Sequence, residues 1–182
     1  MRLLLVRHAQ TTAAEGVCYG RTDVPVLPEL TRAVAGRVAP GLPADAPVFC
    51  SPLSRCAELA REIALRRPGL RVQTDPRIAE MDFGDWEQRL WATIDRVEFA
   101  AWTRDFADTR AGRHGESTRQ FMQRVGEAFD AWRDAGRDAV WVTHAGVIRA
   151  AWLLRDGLRC ADRSDQWPKR AIAFGECVSI EL

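Results

Sequence analysis

Leu3 to Val6 form an unbroken apolar run, and the polar pair Arg7-His8 follows it at once. Such a run predicts a strand buried on both faces, with the polar pair at its end. Gly16, Gly20, Pro25 and Pro28 mark residues 9 to 29 as a long loop, with a short helix after it over Leu30 to Val38. Val48-Phe49-Cys50 is a second strand. Ser51-Pro52 then predicts a helix N-cap with proline in the first helical position, which puts Arg55 in the first turn. Helical spacing of Cys56, Leu59, Ala60, Ile63 and Ala64 carries this helix to about Arg67, where Pro68-Gly69 stop it.

Leu70 to Thr74 alternate as a third strand, Pro76 to Trp86 is a loop holding Glu80, and the pattern from Glu87 to Phe106 is helical. Two glycines break the chain between Ala111 and Gly115. Ser117-x-x-Gln120 fits a capping box ahead of the stripe Phe121, Val125, Phe129 and Trp132, and Gly136 ends that helix. Ala139 to Thr143 is a fourth strand, His144-Ala145-Gly146 turns into a helix over Val147 to Leu154, and residues 171 to 181 read as two strands meeting near Gly175-Glu176. Strands alternating with helices predict a three-layer α/β/α fold with a mostly parallel sheet, to which the last hairpin adds an antiparallel edge. Ligands of such sheets bind outside the carboxyl ends of strands. Arg7, His8, Arg55 and His144 are all expected there, sharing one mouth.

At 182 residues and 47% hydrophobic content, a single domain over 1–182 is expected. A net charge of +1 suggests neither a nucleic-acid-coating surface nor an acidic tail. Lys169 is the only lysine, so the positive charge sits on arginine, whose fork suits phosphate. The apolar start is short for a signal peptide and no run approaches the ~20 apolar residues of a membrane span, so a cytoplasmic protein with no membrane partner is expected. Five cysteines without a C-x-x-C pair argue against a disulfide framework and a thiolate metal site. Oligomeric state leaves no mark in the pattern.

Two histidines, two arginines and a loop carboxylate suit a dianionic phosphate monoester. Arginines bind its oxygens bidentately, a neutral imidazole is a competent nucleophile, and a carboxyl such as Glu80 protonates the leaving alkoxide and then activates water. Asp82 is the next choice for that acid. Rival chemistries fail on spacing. The one lysine lacks the glycines of a Walker loop, Cys50 is followed by Arg55 at five positions where a cysteine phosphatase needs six, there is no Asp-x-Asp, and His8, His114 and His144 lack close zinc-type spacing. Neither a metal nor a cofactor is expected. Gln10 and Thr11 are placed to donate to phosphate or to cap the turn after the first strand, and Tyr19, Arg21 and Asp23 to shape a substrate pocket or a turn. His114 reads as an exposed loop residue, and Trp86, Trp91, Trp102 and Trp132 read as core.

The segments Val6-Arg7-His8-Ala9-Gln10-Thr11, Ser51-Pro52-Leu53-Ser54-Arg55-Cys56, Glu80 to Glu87, Gly115-Glu116-Ser117 and Thr143 to Arg149, in that order, resemble the histidine phosphatase (phosphoglycerate mutase-like) superfamily over nearly the whole chain. The resemblance implies His8 as the phosphorylated nucleophile, Arg7, Arg55 and His144 as the phosphate pocket, and Glu80 as the proton donor. Cys18 to Pro25 and Phe83-Gly84-x-Trp86-Glu87 are most similar to α-ribazole phosphatases of cobalamin biosynthesis, which implies α-ribazole 5'-phosphate or a cobalamin 5'-phosphate as substrate. A broad-specificity sugar or small-metabolite phosphatase, a phosphoglycerate mutase and a non-catalytic phosphate sensor are the alternatives. Two positions depart from the family. Ala9 replaces the usual glycine, so its backbone must avoid positive φ. Gln88 replaces a frequent glycine at what reads as a helix start.

Overall fold

Along β1 (Arg2–Arg7), Leu3 and Leu5 enter one hydrophobic cluster while Leu4 and Val6 enter another, the two-residue alternation of extended backbone. The computed structural model describes residues 1–182. Its other strands are β2 (Val48–Cys50), β3 (Val72–Thr74), β4 (Ala139–Thr143) and β5 (Cys177–Glu181). They form one sheet in the order β3-β2-β4-β1-β5, parallel throughout except for β5, which runs antiparallel on β1.

Helices α1 (Pro28–Val38) and α2 (Ser54–Arg66) cover the face carrying Leu4, Val6, Val140 and Val142. Helices α4 (Thr118–Ala135) and α5 (Ala145–Arg155) cover the other, where Phe121, Val125, Phe129 and Trp132 bury the expected stripe. The capping box at Ser117 and Gln120 is formed, and Gly136 ends α4 in the left-handed conformation. The three-layer α/β/α architecture with an antiparallel edge is therefore present. No helix is long and apolar enough to cross a membrane.

Several local expectations are corrected. Helix α2 begins at Ser54, so Ser51 is not its N-cap. Asp23, from the preceding loop, accepts from both the backbone N–H and the hydroxyl of Ser54 at 2.9 and 2.7 Å, which frees Ser51 for another partner. The segment from Glu87 to Phe106 is not one helix. Gln88 takes φ 64°, a 3-10 turn covers Trp91–Thr93, and Asp95 caps a shorter α3 (Arg96–Arg104) by accepting from Val97 and Glu98 N–H. The final hairpin has only its second strand. Residues 171–174 are drawn toward the end of β1, where Ile172 O accepts from Arg7 and Gly175 N–H donates to His8 O. Trp86 and Trp132 are core residues, Trp102 is half-buried, and Trp91 is 38% exposed.

Candidate active site

Parallel pairing sets Arg7 beside Thr143, and His8 N–H donates to Thr143 O at 3.0 Å. The residues just past both strand ends, His8 and His144, consequently lie with ring centroids 5.2 Å apart. Both are buried. His8 Nδ1 lies 2.7 Å from Ala9 O. A carbonyl only accepts, so Nδ1 carries the hydrogen and Nε2 keeps its lone pair. Burial, aided by the Arg55 and Arg7 cations and opposed by the Ala9 hydrogen bond, pushes the His8 imidazole down to about 3. The ring is neutral at ordinary pH. Ala9 is fully buried and is not among the residues at positive φ, so its methyl imposes no backbone strain.

Arg55, from the first turn of α2, is fully buried. Its guanidinium donates to Gly20 O at 2.5 Å, Thr22 O at 2.8 Å and His144 Nδ1 at 3.3 Å. These charge-assisted bonds offset the desolvation of the cation, each contributing on the order of 1.5–3 kcal/mol. Arg7 lies over the Phe174 ring at 3.9 Å and donates one bond, to Ile172 O. Each guanidinium carries five N–H hydrogens, so Arg7 keeps four and Arg55 two beyond the bonds they make, and both residues line the cavity.

Glu80 comes from the loop after β3. Its Oε2 accepts from Gly146 N–H and its Oε1 from Met81 N–H, both at 3.1 Å. A Cβ at residue 146 would meet Glu80 Oε1 at 2.1 Å, so only glycine permits this approach of the carboxyl to the first turn of α5. Arg7, His8, Gln10, Thr11, Tyr19, Arg55 and Glu80 line one cavity of about 530 Å³ together with Phe83, Trp91 and Phe174. Tyr19 lies over Arg55 at 5.4 Å. Thr11 is buried and its hydroxyl caps Ala13 N–H, whereas Gln10 stands exposed at the mouth.

Four residues expected at the site are placed differently. His144 does not line the cavity. Its Nδ1 accepts from Arg55, and its Nε2 therefore donates to Ser51 Oγ at 2.7 Å. Burial first, then the Arg55 cation, holds it well below the usual histidine range. Arg21 turns outward to Asp82 at 3.2 Å, while its backbone N–H donates to Glu87. Asp82 also accepts from Gly84 N–H and is absent from the cavity, whose carboxyl residues are Glu80 and Glu15. Asp23 is the cap of α2. No three histidine, cysteine, aspartate or glutamate side chains converge as a metal site would require.

Other residues at the site were not singled out in the sequence. Glu87 accepts from the backbone N–H groups of Gly20, Arg21, Thr22 and Phe83, while Arg55 holds the carbonyls of the same loop. Its position in the Trp86-Glu87 pair was the only signal. Ser51 and Cys56 flank His144, with Cys56 Sγ 3.4 Å from Nε2. Trp91 packs edge-on to Phe83 at 5.2 Å, and Phe174 lies 5.6 Å from His8.

The sequence pattern of the histidine phosphatase superfamily (branch 1) matches residues 3–165. The chain is 34% identical over 160 residues to the adenosylcobalamin/alpha-ribazole phosphatase of Salmonella typhimurium, covering 81% of this chain and 76% of that protein. The crystal structure of the alpha-ribazole phosphatase from Shigella flexneri superposes with a TM-score of 0.81 at 26% identity, over all of this chain and 91% of the other. A mycobacterial glucosyl-3-phosphoglycerate phosphatase superposes with a TM-score of 0.70 at 27% identity, over 85% of this chain and 78% of the other.

Proposed function

The chain belongs to the histidine phosphatase superfamily, branch 1, and from that premise we propose that it hydrolyses a phosphate monoester through a phosphohistidine on His8, with α-ribazole 5'-phosphate or a cobalamin 5'-phosphate as substrate. The observation that carries the mechanism is the Nδ1 contact to Ala9 O, which leaves a neutral imidazole with a free Nε2 at the cavity wall. Arg7 and Arg55 bind the non-bridging oxygens. His8 Nε2 attacks phosphorus in line, the P–O ester bond breaks, and the leaving oxygen takes a proton from the carboxyl of Glu80. The Glu80 carboxylate then removes a proton from water, whose oxygen attacks phosphorus. The P–N bond breaks, His8 recovers its lone pair, and inorganic phosphate leaves. His144 acts behind this pair, holding the Arg55 guanidinium by its Nδ1.

The substrate assignment is supported by the names of the Salmonella and Shigella relatives and by the loop around Cys18 to Pro25, which Arg55 and Glu87 fix at the mouth. A phosphorylated sugar derivative is the second reading, favoured by the superposition on the glucosyl-3-phosphoglycerate phosphatase. A panel of α-ribazole 5'-phosphate, 3-phosphoglycerate and sugar bisphosphates tests both. The expected result is multiple turnovers with phosphate release, fastest on α-ribazole 5'-phosphate and abolished in His8→Ala. Primer-dependent isomerisation of 3-phosphoglycerate would make the protein a mutase. Binding of these esters without turnover would make it a sensor.

A further inference from the structure

Ala173, Phe174, Gly175 and Glu176 form a tight turn, in which Glu176 N–H donates to Ala173 O at 3.0 Å. Gly175 holds φ 69° at the third position, the left-handed backbone of a type II turn. A Cβ at residue 175 would also stand 2.5 Å from the Val34 side chain of α1, so both the turn and its seat demand glycine. Three contacts pin the turn to the end of β1 and to α1. Gly175 N–H donates to His8 O at 3.1 Å, Arg7 N–H donates to Glu176 O at 3.0 Å, and the Arg37 guanidinium donates to Gly175 O at 3.1 Å. The Glu176 carboxylate closes the turn from within by accepting from Ala173 N–H. Phe174, at the second position, is thereby presented at a fixed tip and lines the catalytic cavity.

The neighbours of this ring are Arg7 and His8. The Arg7 guanidinium lies over its face at 3.9 Å, and the His8 ring lies 5.6 Å away. Little else holds the Arg7 side chain. It makes one hydrogen bond, to Ile172 O, and its Nε is buried with no partner. Arg55 is fixed by the opposite means, since it spends three N–H groups on Gly20, Thr22 and His144. A stacked ring restrains a guanidinium without consuming a donor, and without the negative charge that would weaken its hold on an anion.

We propose that Phe174 is a positioning residue, whose ring sets the plane of the Arg7 guanidinium so that its free N–H groups converge on the phosphoryl group at His8. The assignment rests on the phosphomonoesterase reading of the cavity. Phe174 acts through Arg7 and at the phosphate end, so its effect is shared by every ester.

A double-mutant cycle of Phe174→Leu and Arg7→Ala tests this, read as kcat/KM on an aryl phosphate and as the inhibition constant of inorganic phosphate. Phe174 is 36% exposed, so leucine keeps the apolar contact without opening a core cavity and removes only the π face. Phe174→Leu is expected to lower kcat/KM roughly 3–30-fold and to weaken inhibition by phosphate by a similar factor. Phe174→Tyr keeps the face and is expected to stay within about 2-fold of the wild type on both readings. In the Arg7→Ala background Phe174→Leu is expected to change neither, because the group it positions is gone. Equal losses from Phe174→Leu with and without Arg7, or a loss in Phe174→Tyr as large as in Phe174→Leu, would show a ring that acts by packing alone and overturn the proposal. An unchanged phosphate constant in Phe174→Leu, with turnover still dependent on His8, overturns it too and leaves the phosphatase reading standing. A wild-type protein that hydrolyses no ester removes both readings.

Discussion

On the side of the mouth proposed to bind phosphate, each group leaves the end of a strand or the first turn of a helix. Arg7 and His8 end β1, His144 follows β4, and Arg55 opens α2. On the alcohol side Tyr19, Glu80, Phe83 and Trp91 come from irregular segments, held by single side chains such as Glu87, whose carboxylate gathers four backbone N–H groups. Regular structure fixes the half that meets the group common to all phosphate esters. Loops fix the half that meets the alcohol, which differs from ester to ester. A mutation on the first side should therefore remove chemistry on every ester, whereas one on the second should change which ester is used.

The strongest test of that contrast is His8→Ala, expected to lower kcat by about 10⁴-fold or more on every ester, as measured by phosphate release. Glu80→Gln is expected to cost roughly 10²–10⁴-fold on alkyl esters and far less on an aryl phosphate, whose phenolate leaves without a proton. An equal loss on both would remove Glu80 as the donor. Glu87→Ala strips the loop of its shared acceptor and should lower unfolding free energy by about 2–4 kcal/mol in denaturant titration, raising KM more than it lowers kcat.

Acid should act on the phosphate side. His8 is held at about 3 in the folded chain, while in the unfolded chain it takes a proton near 6.5. The unfolded state binds more protons between these values, so the contribution of His8 to stability is complete above pH 6.5 and is lost as pH falls toward 3. His144, held low by burial, adds in the same direction. The fall in Tm between pH 7 and pH 4 should be shallower in His8→Asn than in the wild type. The smallest effect concerns Gln88, which holds φ 64° on the alcohol side. Gln88→Gly should gain about 1 kcal/mol by removing left-handed strain, raising Tm by about 2–4 °C.

The same contrast governs what the sequence made legible. An apolar run ending in Arg7-His8, a strand ending before His144 and a capping box at Ser117 are local patterns, and the three-layer fold and the meeting of Arg7, His8 and Arg55 follow from them. The expectations that failed depend on partners distant in the chain. Asp23 caps α2 across 31 positions, which releases Ser51 to His144. His144 spends both nitrogens on Ser51 and Arg55 and so sits behind the cavity. Arg21 turns to Asp82, and Ile172 is drawn to Arg7, which removes the first strand of the expected hairpin. Gln88 read as a helix start because its left-handed backbone is imposed by contacts to Cys18 that no periodicity announces.

The central claim is that His8 Nε2 takes the phosphoryl group from the ester. Rapid acid-free quenching of the enzyme during turnover of a ³²P-labelled monoester, followed by peptide mapping, measures this directly. The account predicts acid-labile, base-stable label on the peptide containing His8, appearing and decaying at rates fast enough to carry turnover, and absent in His8→Asn. Steady turnover with no protein-bound label, together with inversion of configuration at a chiral phosphorus, would show direct attack by water and contradict it.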